Sequence, residues 1–299
     1  LPRRRHDRRC EERPLRPAQI DLAKIVLAWA LAFAASAQPL KIVATTPELQ
    51  SLAAAVGGDL VAVSHLVPVG QDAEAFQPRP QDLARVREAR AVLRVGLDYD
   101  LWLDRLLREA RGVAVIDAST DVALLDVRAG GIGPGDGHAH GRGNPHYWLD
   151  PVNAEMITAT LLESFSRLDP ANAKRYDANR RAFLAKLDAK LGQWARALAK
   201  APPLVAYHDT WPYFARRFRL RFVGIIESRP GVAPSPAHLA TLIETAKKER
   251  VGIVVREAHE SQRDAEFIAS RSGAKVVTLS SHGDDYLSLI DDDVRRLTQ

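Results

Sequence analysis

The chain has almost no cysteine. Of its 299 residues only Cys10 is one, and it precedes the apolar run 25–37. The body beyond that run therefore excludes disulfides and thiolate metal sites. Lipid anchoring is not expected either, because Gln38 stands where a lipidated cysteine would follow the apolar run. Excess charge is missing too. Residues 1–37 carry eight basic and four acidic side chains, so they hold +4 of the net +5 and leave the rest at +1. A body so nearly neutral has no overall field to attract polyanions, and no nucleic-acid partner is expected. Long hydrophobic runs are absent: IVLAWALAFAASA at 25–37 is thirteen residues, whereas a membrane-spanning helix needs roughly 20. Two catalytic signatures are also missing. No H-E-x-x-H occurs, and no G-x-G-x-x-G follows the first apolar run at 41–46, with Gly57-Gly58 in the wrong place, which sets aside a NAD-type enzyme.

What is present begins with a basic stretch ending at Lys24, the apolar run, and Ala35-Ser36-Ala37 ahead of Gln38, the layout of a secretory signal peptide. The residues before Lys24 are expected to be an upstream extension, and the mature chain a soluble periplasmic protein. Beyond residue 38, short β-rich runs at 41–46, 60–67, 91–95 and 113–116 alternate with helical patterns at 80–90 and 101–110. A second set follows, with runs at 204–207, 222–226, 252–255 and 275–279 and helical patterns at 213–217, 236–250 and 264–271. Such alternation predicts α/β architecture with mostly parallel sheets flanked by helices, and two sets predict two lobes. Between them, Tyr176, Phe183, Leu184, Leu187, Leu191, Trp194 and Leu198 recur at helical spacing. They predict one amphipathic helix over 172–199, about 40 Å long at 1.5 Å per residue. Pro202-Pro203 stops it. The expected division is a leader at 1–37, an N-terminal lobe at 38–171, a linking backbone helix at 172–200 and a C-terminal lobe at 201–299.

Eight histidines lie beyond the leader, and three of them, His146, His208 and His282, fall just past strands or in loops, where α/β folds build their sites. Imidazole is the commonest neutral metal ligand. His138 and His140 sit in the glycine-rich stretch 129–144, read as a surface loop with at most weak metal capture. His238 reads as a helix-start residue, His259 as solvated, Glu227 as a loop brace, and Trp102, Trp148, Trp194 and Trp211 as packing.

Four segments carry a combined signature: Val67-Pro68-Val69-Gly70 running on to Phe76-Gln77-Pro78-Arg79-Pro80; Asn144-Pro145-His146-Tyr147-Trp148-Leu149-Asp150-Pro151; Tyr207-His208-Asp209-Thr210-Trp211; and Arg229-Pro230-Gly231-Val232-Ala233-Pro234. With them the body resembles the metal-specific solute-binding proteins of bacterial ABC transporters that import zinc or manganese. The resemblance implies two α/β lobes joined by a long helix, a metal in the cleft between them, an ABC permease as partner, a monomer, and no catalysed reaction. It places the family's second and third ligands on His146 and His208. Where the family's first ligand is a histidine, this chain has Glu74; where the fourth is an aspartate, it has Ser280. His282 is the expected replacement, with Glu257 or water as rivals. Glu74, His146, His208 and His282 would make a tetrahedral set suited to zinc, with manganese second because a carboxylate favours harder ions. The competing expectation is an exported zinc hydrolase, with Glu74 as general base and an open coordination position.

Overall fold

The computed structural model describes residues 38–125, 143–227 and 231–299. The leader and the pair His138 and His140 lie outside the described residues. Two four-stranded sheets are built from successive halves of the chain. The first contains β1 (Leu40–Ala44), β2 (Val61–His65), β3 (Ala91–Arg94) and β4 (Ala114–Asp117), in the order β2-β1-β3-β4. The second contains β5 (Leu204–Ala206), β6 (Phe222–Ile225), β7 (Ile253–Arg256) and β8 (Lys275–Thr278), in the order β6-β5-β7-β8. Every pairing is parallel. The central strands are short apolar runs, such as Ile253-Val254-Val255, because helices cover both their faces.

The helices of the first half are α1 (Pro47–Gly57), α2 (Pro80–Glu88), α3 (Leu103–Glu109) and α4 (Asn153–Leu168). Then α5 (Ala173–Leu198) runs for 26 residues, and α6 (Pro212–Phe218), α7 (Pro236–Lys248), α8 (Gln262–Ser272) and α9 (Tyr286–Thr298) follow. The helix expected over 172–199 is α5, entered through a short 3-10 turn at Pro170–Asn172 whose start is pinned by Asp169, the acceptor for both Asn172 and Tyr176. Its buried face carries Tyr176, Phe183, Leu187, Trp194 and Leu198. Each such side chain contributes about 1.5–3 kcal/mol on burial.

That face joins the two sheets. One continuous core holds Ile42 and Leu93 of the first sheet, Leu204 and Val255 of the second, and the α5 residues between them. Smaller cores lie on the outer faces, one under α7 and α8 and one under α2 and α3. The segment 144–150 is stitched to both halves. Tyr147 donates to the Val95 carbonyl (2.8 Å) and Trp148 Nε1 to the Ser281 carbonyl (2.7 Å). Arg217 of α6 grips the fully buried Asp150 with two nitrogens, at 2.5 and 3.0 Å. Among the described residues, no helix is long and apolar enough to cross a membrane.

Candidate metal centre

In each sheet the first strand has its successors on either side, and the carboxyl ends of such strands frame a crevice. One cavity receives side chains from both. Glu74 comes from the loop after β2 and Tyr99 from the loop after β3. His208, Glu227, Glu257 and His282 come from the loops after β5, β6, β7 and β8. His146 enters from the stitched segment.

Glu74 is aimed by its own loop. Asp72 Oδ1 accepts the backbone N–H groups of Glu74 (2.9 Å) and Ala75 (3.2 Å), closing a turn just after Gly70, whose φ of +78° suits glycine. Trp102 Nε1 donates to the Ala73 carbonyl (2.9 Å), and its ring meets Phe76 edge-on. Trp102, expected only to pack, thus anchors the loop that presents Glu74.

The two histidines are oriented from behind. Asn144 donates its amide hydrogens to the Asp209 carbonyl (2.8 Å), so its Oδ1 must face His146, where it lies 3.0 Å from the backbone nitrogen and 3.1 Å from Nδ1. An acceptor at Nδ1 places the proton there and leaves the Nε2 lone pair directed into the cavity. His208 is set the same way, with Nδ1 2.7 Å from Glu227 Oε2. The other oxygen of Glu227 accepts the Gly231 N–H at 2.8 Å, so Glu227 braces a loop, as expected, and positions a histidine as well.

The resulting geometry is compact. His146 Nε2 lies 3.6 Å and His208 Nε2 4.0 Å from the same oxygen, Glu74 Oε1. All three donor atoms fall within 4.8 Å of one another. Burial would hold the His208 imidazolium down in pKa, but the hydrogen bond to Glu227 and the carboxylates of Glu74, Glu227 and Glu260 outweigh it and raise it to about 9.

His282, expected as fourth donor, is not brought into this set. Its Nδ1 donates to Glu48 Oε2 at 2.8 Å and its Nε2 lies 3.0 Å from the Tyr99 hydroxyl. The ring stacks on Trp148, and Tyr99 stands between it and His146. The physical reason is Glu48: fully buried at the start of α1, its carboxylate requires a partner. Glu257, the rival, braces loops instead. It accepts the Ser281 N–H (2.8 Å) and hydroxyl (2.6 Å) and the Thr210 hydroxyl (3.3 Å). Ser280 closes its own turn by donating to the His282 carbonyl. His238 stands at the first turn of α7, as read, with Nε2 2.8 Å from the Ile225 carbonyl.

The chain is similar to known metal-binding proteins. The zinc-binding lipoprotein AdcA of Streptococcus pneumoniae is 26% identical over 277 residues, which cover 87% of this chain and 55% of AdcA, so the chain spans about half the length of that relative. A crystal structure of ZnuA superposes with a TM-score of 0.78 at 30% identity, covering 87% of this chain and 98% of that one. The nickel complex of the binding protein FpvC from Pseudomonas aeruginosa follows at 0.73 and 27%, covering 87% and 94%. The family model described as zinc-uptake complex component A, periplasmic, matches residues 42–299, and the chain belongs to that family.

Proposed function

We propose that Glu74, His146 and His208 hold a captured divalent transition metal in the crevice between the sheets, zinc first and manganese second, with water in the remaining position. The chain is a metal-binding receptor of the ABC-transport type and catalyses no reaction; family membership decides against the hydrolase reading. The observation that carries the site is the meeting of three donor atoms within 4.8 Å, two of them imidazole nitrogens whose partner nitrogens are already bound to acceptors.

The residues' work is to replace the ion's hydration shell. Glu74 supplies charge, the two Nε2 atoms supply neutral donors, and Asn144 and Glu227 keep those rings aimed and in the metal-binding tautomer. In the same reading, the division at 38–171, 172–200 and 201–299 describes two walls and a spine. The receptor is exported to the periplasm, acts as a monomer without nucleic acid, and delivers its ion to an ABC permease. Competitive zinc titration of the wild type beside Glu74→Ala, His146→Ala and His208→Ala tests the assignment. Each variant is expected to lose tight binding, and retention in all three would refute it.

A further inference from the structure

The triad uses one part of a larger cavity. Among the described residues, five carboxylates line it (Asp72, Glu74, Glu227, Glu257 and Glu260), and no lysine or arginine does. An ion at the triad answers the charge of Glu74, Glu227 is held by His208 Nδ1 and the Gly231 N–H, and Asp72 accepts the backbone N–H groups of Glu74 and Ala75. The pair Glu257 and Glu260 remains, next to His259, and the donor atoms of these three also lie within 4.8 Å of one another. We propose that His259, Glu260 and Glu257 form a second, weaker divalent-cation position in the wall of the same cleft, a staging point for ions approaching the triad. That the ion is a transition metal rests on the function proposed above; the convergence of donors does not.

The turn is built before any ion arrives. Glu257 is fixed by Ser281 and Thr210, and its backbone N–H donates to Glu260 Oε2 at 2.5 Å. The neighbouring cation, Arg256, donates instead to the carbonyls of Ala258 (2.9 Å) and Glu260 (2.7 Å), which shapes the turn and leaves the carboxylates without an ion-pair partner among the described residues. A divalent cation would sit between the two carboxylates, with the imidazole of His259 as the third donor. His259 is exposed, so this position exchanges readily with solvent, whereas the half-buried and buried donors of the triad retain their ion.

The test is zinc titration of the full chain by calorimetry, with equilibrium dialysis for stoichiometry. The wild type should take up two zinc ions in a tight and a weak step. His259→Ala should keep the tight step and lose the weak one, and Glu260→Gln should lose the weak one as well. A wild type binding a single ion, or a weak step that persists unchanged in both variants, overturns the second position. Loss of the tight step in the wild type would instead overturn the triad, so the two failures are distinguishable.

Discussion

His282 and Glu48 form a buried ion pair, Nδ1 to Oε2 at 2.8 Å, between the loop after β8 and the start of α1. The histidine next to the metal cleft is therefore committed to holding the two halves of the molecule together. The Glu48 carboxylate raises its pKa against the opposing effect of burial.

Removing His282 should damage stability more than binding. His282→Ala leaves a buried carboxylate without its partner, a loss of about 3–5 kcal/mol. Thermal unfolding should fall sharply, while the zinc affinity of the folded fraction stays near wild type. A drop in affinity equal to that of His146→Ala would make His282 a ligand.

Glu227 acts on the ion only through His208. Glu227→Gln keeps an acceptor at Nδ1 but removes its charge, and zinc affinity should fall about 10- to 100-fold. Competition with a chelator of known affinity measures this. An unchanged affinity would reduce Glu227 to its second role, bracing Gly231.

Acid should oppose capture. The ion-free His208 is raised from 6.5 to about 9, so at neutral pH a metal must displace its proton. Zinc affinity should climb by about tenfold per pH unit between those values. The ion-free fold has the opposite dependence. A raised pKa contributes stability that is fully present below 6.5 and is lost as pH rises through about 9. Affinity flat across that window, with ion-free stability that does not decline, would contradict the protonation assigned to His208.

The shared core limits hinge motion. Because α5 packs into one continuous core with both sheets, ion-free and zinc-loaded structures should superpose to about 1 Å on Cα atoms, with changes confined to loops. A wide closure of one half on the other would contradict this.

The legible parts of the fold were those with a strong period. Phe183, Leu187 and Trp194 mark α5 because one stripe of a long helix is buried, and the strands are short apolar runs between turn residues. Helices α1 and α9 gave less to read. The first is mostly alanine and glycine toward its end, and the second carries the polar run Asp291-Asp292-Asp293 in its middle. Glu74, His146 and His208 stand out because each sits in a motif-bearing loop. The partner of His282 does not, since Glu48 is 234 residues away and no local pattern connects them. Asn144 and Glu227 were missed as orienting groups for a similar reason. Only the Asn-Pro-His spacing hints at the first, and Glu227 reaches His208 because β6 pairs beside β5. His259 is solvated, as its sequence context suggests, but its convergence with Glu257 and Glu260 appears only once the turn after β7 is folded.

The most direct test of the central claim is a crystal structure of the zinc-loaded protein, with the ion located by anomalous scattering at the zinc edge. The account predicts its strongest peak bound by a carboxylate oxygen of Glu74 and by Nε2 of His146 and His208, with His282 still paired to Glu48. A peak elsewhere, or one bound through His282 with Glu74 turned away, would contradict it.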